Sequence, residues 1–207
     1  MEKNKMFLNP RQTLSTCKNS DCEDCPVKKE LNCHFNLKQL VRFITIVMPA
    51  AIVGGYGIVI YNPLYIIIWI LMFIIYFGFV EIRVMCSHCP HYAEPNMKSL
   101  KCWANYGSPK LWKYRPGPMS MTEKIIFKAG AIIIFAYPIP FLILKLELLS
   151  YILLGIYGVL ISTAFFLLKK YYCSYCINFA CPLNNVDNKI REKFFSKNQV
   201  VKDAWRQ

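Results

Sequence analysis

FITIVMPAAIVGGYGIVIYNPLYIIIWILMFIIYFGFV, residues 43–80, runs for 38 positions without one Asp, Glu, Lys or Arg. A helix needs about 20 apolar residues to cross the hydrocarbon core of a bilayer. The stretch therefore holds two spans, residues 43–61 and 63–80, folded about Asn62-Pro63, a pair that favours a turn. The pattern returns at residues 125–144 and 148–168. Only Lys128 interrupts these runs, one turn inside the third, where its long side chain can reach the headgroups. With 55% apolar residues, the 207-residue chain reads as an all-α polytopic membrane protein with four transmembrane helices. Four such runs in 207 residues of 55% apolar composition argue against the buried core helices of a soluble protein. The first 42 residues are polar and hold no short apolar run before a small-residue cleavage site, so no signal peptide is expected.

Five regions follow: a Cys-rich segment at 1–42, a helix pair at 43–82, a Cys-rich loop at 83–124, a second pair at 125–168 and a Cys-rich tail at 169–207. The three polar regions carry 23 of the 25 Lys and Arg, and the two outer connections carry only Lys145. Positive charge stays on the cytoplasmic side of a membrane. Both termini and the central loop are thus expected in the cytoplasm, with the chain in the cell membrane. The net charge of +13 is then explained by orientation and by attraction to anionic lipid. The bilayer is the expected partner. No nucleic-acid motif accompanies the basic residues, so no nucleic-acid partner is expected.

The two halves look alike. Each is a pair of spans followed by a cysteine turn of pattern C-S-x-C, Cys86-Ser87-His88-Cys89 in one and Cys173-Ser174-Tyr175-Cys176 in the other. The first span of each half carries proline, Pro49 or Pro138 and Pro140, and these are expected kinks. A tandem repeat of two spans predicts a pseudo-twofold axis along the membrane normal. It would bring the two turns together at one face. The spans themselves hold no His and no midplane Asp, Glu or Arg, which argues against an ion-coupled pump. Their glycines, among them Gly54, Gly55, Gly57, Gly78, Gly130, Gly155 and Gly158, are expected to admit close helix packing.

All ten cysteines lie outside these runs and on the predicted cytoplasmic side. Thiols in a reducing compartment are poor disulfide formers and good ligands for metals or iron–sulfur clusters. The polar segments are individually too short to bury a good core, which gives metal a structural task. Cys17, Cys22, Cys25 and Cys33 are four thiols within 17 residues, enough for one tetrahedral zinc or one iron–sulfur cluster. His34, beside them, reads as a bystander. The C-x2-C of Cys86 and Cys89 is half a site, and Cys102 and His91 are its nearest further ligands. His88, between the two cysteines, is expected at the surface. Cys173, Cys176 and Cys181 form the third cluster. Each cluster contains Cys-Pro, at Cys25-Pro26, Cys89-Pro90 and Cys181-Pro182, a habit of bacterial ferredoxin motifs that tilts the reading from zinc toward iron–sulfur.

Ligand counting leaves two arrangements for the last six cysteines. One is a shared site of Cys86, Cys89, Cys173 and Cys176, with Cys102 and Cys181 as alternates. The other is two three-cysteine sites, each completed by His91, by another oxygen or nitrogen ligand, or left with an open position. Between the clusters, residues 103–118 read as an irregular loop with Trp103, Tyr106, Trp112 and Tyr114 at the membrane interface. Val186, Ile190, Phe194, Val201 and Trp205 recur at near-helical spacing, as in an amphipathic interfacial helix.

In architecture alone the layout is similar to membrane ferredoxin-like subunits of quinol-oxidising chains, which have four spans, cytoplasmic termini and Cys-Pro motifs. The resemblance implies electron transfer, with a cytoplasmic redox protein or membrane complex as partner. This chain lacks the paired C-x2-C-x2-C-x3-C-P runs that hold their clusters. The alternatives are a zinc-stapled membrane scaffold or adaptor and, with only Met48 and Met72 as soft ligands inside spans, a transporter or sensor of soft metal ions. No Ser–His–Asp set, phosphate loop or HExxH helix points to hydrolysis or group transfer.

Overall fold

The computed structural model describes residues 13–18, 22–95 and 97–206. The molecule is mostly helical, and four helices are long and apolar enough to cross a membrane: Leu37–Tyr61, Leu64–His88, Met121–Leu144 and Leu148–Tyr175. These are spans 1 to 4. They extend the apolar runs by one or two turns at the end that carries the cysteines.

Span 1 is one helix, α1 (Leu37–Tyr61), started by the Asn36 side chain, which accepts from the Lys38 N–H at 2.9 Å. Pro49 lies inside it without dividing it. Span 2 runs as α2 (Leu64–Ile75), a π-helical turn at Tyr76–Val80, and α3 (Glu81–Val84). Span 3 is divided at Tyr137 into α4 (Met121–Ala136) and α5 (Pro138–Leu144). A capping box of Ser120 and Glu123 opens α4. Span 4 is α6 (Leu148–Tyr171) with a short turn after it.

The break in span 3 has a chemical cause and a remedy. Pro138 has no N–H, so the Ile134 carbonyl loses its helical donor. Trp69 of span 2 supplies one, its Nε1 donating to Ile134 O at 2.9 Å. Tyr157 of span 4 donates to the neighbouring Phe135 carbonyl at 2.8 Å. In lipid no water could do this, so the proline fixes where its neighbours must stand.

Span 1 packs against α5 and span 4, while span 2 packs against span 1 and α4. Glycines set the approach at three places. A Cβ on Gly54 would meet the Tyr157 ring and Pro138, one on Gly57 would overlap Leu142, and one on Gly130 would overlap the Tyr76 ring. Tyr76, seated there, donates to the Phe127 carbonyl at 2.5 Å. A Cβ on Gly78, Gly155 or Gly158 would meet nothing within 4 Å, so these three set no close approach between the described helices of this chain. At the far end, Lys145 reaches across to the Ile60 carbonyl at 2.6 Å and ties the two outer turns together.

The three cysteine-bearing regions build one layer at the other end. Leu14, Val27 and Leu31 from the first region share a buried core with Cys89, Ile177, Phe179, Phe194, Phe195 and Val201. Short segments that could not each make a core make one jointly. The tail forms two helices, α7 (Asn188–Lys197) and α8 (Gln199–Arg206), rather than one. Phe194, Phe195 and Val201 turn into this core, so the apolar stripe covers protein. The central loop is also more ordered than expected, with an antiparallel pair, β1 (Ser99–Lys101) and β2 (Tyr106–Pro109). Trp112 and Tyr114 pack against a second small core of Ile82, Cys86, Tyr92 and Leu100.

Candidate functional site

The cysteines gather in two groups within this layer, and none of the ten is in a disulfide. The first is Cys17, Cys22, Cys25 and Cys33, which lie within range of one another's charge. Successive turns fold the segment on itself, with the Cys17 N–H donating to Leu14 O at 2.9 Å and the Lys28 N–H to Cys25 O at 3.1 Å. Burial pushes the Cys17 thiol up to about 11 and the Cys33 thiol higher still, and repulsion from the neighbouring thiols adds to both. Cys17 donates its thiol hydrogen to Asn198 Oδ1 at 3.5 Å, which joins the group to the tail.

The second group draws on both halves of the chain. Cys89 is coupled by charge to Cys176, Cys102 and Cys181, and Cys86 to Cys102, Cys89 and Cys181. Cys173 enters through Cys176 and Cys181. The grouping therefore includes Cys102 and Cys181 beside the two C-S-x-C turns. Those turns are built alike. Met85 before the first has φ −120° and ψ −55°, and Tyr172 before the second has −121° and −49°. Cys89 and Cys176 then leave with φ −79°, ψ 137° and φ −83°, ψ 127°. In each, the second cysteine's N–H donates to the first cysteine's carbonyl, at 2.9 Å and 3.5 Å.

Four sulfurs of this group receive backbone hydrogen bonds from two residues onward. Cys89 accepts from the His91 N–H, Cys102 from Ala104, Cys176 from Asn178, and Cys181 from Leu183 at 3.4 Å. Trp103 adds its indole N–H to Cys176. Donors aimed at sulfur favour the thiolate. Burial works against them and wins: Cys102 is pushed up to about 12, and Cys89, Cys176 and Cys181 are raised as well. These thiols are neutral near pH 7. Ionising several together needs a cation beside them.

The predicted site residues thus fall into two neighbourhoods, but they do not converge on a point. Among the described residues, no three His, Cys, Asp or Glu side chains stand close enough to hold one ion. His91 is buried against the second group, its Nδ1 3.6 Å from Cys89 Sγ. His88 is buried rather than at the surface. Its Nδ1 donates to the Gly117 carbonyl at 2.8 Å, and its Nε2 lies 3.5 Å from Glu123. Glu123 also takes an ion pair from Arg115 at 2.6 Å, so this cluster clamps the end of span 2 to the start of span 3.

Two residues were not read from sequence as part of the site, Trp103 having been assigned to the membrane interface. Trp103 packs between Tyr172, tilted at 39° with ring centroids 5.0 Å apart, and Phe43, edge-on at 5.4 Å, while donating to Cys176. Glu81 lies within charge range of Cys86, Cys102 and Cys181. Its signal was available: it is the one acidic residue between residue 43 and the first C-S-x-C turn. It follows the π-helical turn, a feature often found at functional positions.

No family model, no curated protein and no solved structure matches this chain.

Proposed function

We propose that the protein is a membrane-embedded metal–thiolate protein that carries electrons between a cytoplasmic redox protein and a membrane partner. The observation that carries this is the second cysteine group. It takes thiols from both the central loop and the tail, and four of its sulfurs receive backbone N–H donors. Hydrogen bonds to sulfur are among the means by which proteins tune iron–sulfur centres. A scaffold held together by its core alone has no use for donors aimed at buried sulfur. Binding would draw the thiols from a shared neighbourhood into contact, with metal–sulfur bonds of about 2.3 Å if the metal is zinc.

Sidedness and symmetry are part of the proposal. Lys and Arg flank the cysteine end, which favours a cytoplasmic location for that end and for both termini in the cell membrane. The alike C-S-x-C turns support a tandem repeat. So does the packing, since a twofold relating span 1 to span 3 and span 2 to span 4 would exchange the 1–4 contact with the 2–3 contact.

A zinc-stapled scaffold is the second reading, favoured by His91, because an imidazole beside thiols suits zinc. Anaerobic purification followed by iron, sulfide and zinc analysis with visible spectra separates the two. Iron and acid-labile sulfide with charge-transfer absorbance support electron transfer. Stoichiometric zinc in a colourless protein supports the scaffold, and neither metal would refute both.

A further inference from the structure

The two cysteine groups meet at one side chain. His91 is 5% exposed. Its Nδ1 is 3.6 Å from Cys89 Sγ, and its Nε2 is 3.1 Å from the backbone oxygen of Cys33. A carbonyl only accepts, so the ring hydrogen belongs on Nε2 and the Nδ1 lone pair faces the thiol. A histidine that ligates metal is oriented in this way, one nitrogen to the metal and the other N–H to a backbone carbonyl or carboxylate. Here the carbonyl belongs to a cysteine of the other group. The backbone leading into it is held by two bonds: the Cys33 N–H donates to Leu31 O at 3.0 Å, and the adjacent Asn32 N–H donates to Tyr175 O at 2.8 Å.

We infer that His91 joins Cys89 as an Nδ1 ligand of the second centre, and that the Cys33 carbonyl makes metal loading of the two centres cooperative. The inference rests on the metal-binding reading above. A metal held by Cys17, Cys22, Cys25 and Cys33 fixes the Cys33 backbone. The fixed carbonyl holds the imidazole in its ligating tautomer and orientation, so less freedom is lost when it binds. Coupling of this kind is reciprocal, so metal at the second centre must favour metal at the first to the same degree.

Cobalt(II) is the probe, since its spectrum reports thiolate and nitrogen ligation in tetrahedral sites. The full chain in detergent would be titrated anaerobically with cobalt(II), in parallel with Cys22→Ser/Cys25→Ser and with His91→Ala. The original chain should bind cobalt(II) at two centres, one of them with nitrogen ligation. In the double variant the remaining centre should weaken by about 10–100-fold, the usual loss when an outer partner of a ligand fails. In His91→Ala the nitrogen signature should vanish and the N-terminal centre should weaken too. Should the double variant lose its fold, Cys33→Ser, which removes a thiol and keeps the carbonyl, makes the same comparison. Two centres filling with unchanged affinity in the variants would overturn the coupling and leave metal binding standing. Loss of nitrogen ligation without any effect at the N-terminal centre would overturn it as well. No cobalt–thiolate bands in the original chain would refute the metal reading and this inference with it.

Discussion

Thr16 donates its hydroxyl to Asn198 Oδ1 at 2.7 Å across 182 residues of sequence. Asn198 is fully buried. The same oxygen accepts from the Cys17 thiol, and the Asn198 amide donates to Phe194 O at 3.1 Å. One side chain therefore holds the first cysteine turn against the join between the two tail helices.

Asn198→Ala should loosen that layer. It strands a buried hydroxyl and a buried carbonyl, at about 1–3 kcal/mol for each unsatisfied group. Hydrogen exchange should speed up in residues 13–35 and 188–206, while the four spans keep their protection. Unchanged exchange in both segments would show that the apolar core alone holds them.

The spans were legible because lipid imposes a length and a composition, and residues 43–80 meet both. The two C-S-x-C turns placed alike after two spans were legible too, and the fold brings Cys89 within charge range of Cys176, but not the four cysteines to one point. The shared core was not legible. Leu14, Val27 and Leu31 show no period of their own, and their partners Phe194, Phe195 and Val201 lie more than 160 residues away. Periodicity tells which face of an element is covered, not what covers it. That is why the tail stripe read as a lipid face. His88 was misplaced for a related reason: a residue between two cysteines of a C-x2-C turn normally points away from them, and only the fold supplies Gly117 and Glu123 as partners.

The glycines separate packing from mere tolerance. Gly130→Val should be destabilising, because its side chain must displace the Tyr76 ring and the bond from Tyr76 to Phe127 O. Overpacking of this kind costs about 1–3 kcal/mol. Gly155→Ala has nothing within 4 Å of its new Cβ and should be neutral or gain up to about 1 kcal/mol from helix propensity. Unfolding of the two variants in detergent tests both. Equal stabilities would contradict the packing around Tyr76.

Trp69 and Pro138 should be coupled. Trp69→Phe keeps the ring and removes the donor to Ile134 O, whose own helical donor is missing because of Pro138. Side-chain hydrogen bonds between membrane helices contribute about 0.6–2 kcal/mol. Pro138→Ala restores an N–H four residues on, so the loss from Trp69→Phe should shrink in that background. A double-mutant cycle measures this directly. Strictly additive effects would mean that the indole bond is not a response to the proline.

Acid should loosen the cysteine layer through His91. Burial lowers the His91 pKa from 6.5 to about 4, the Cys33 carbonyl partly opposes that shift, and the positive charge of His34 adds to it. A basic group whose folded-state pKa is depressed binds its proton more readily when unfolded. Its contribution is then fully present above pH 6.5 and is lost as pH falls from there toward 4. The cysteine layer, without added metal, should loosen over that window, since protonation puts a second N–H where Nδ1 now faces Cys89. The spans, which contain no histidine within the bilayer runs, should not respond. Limited proteolysis between pH 7 and 4 is the measurement: cleavage within residues 13–35 should rise in the original chain. His91→Gln, which cannot take up a proton, should flatten the response. A profile of the same steepness in that variant would assign the acid sensitivity to another group.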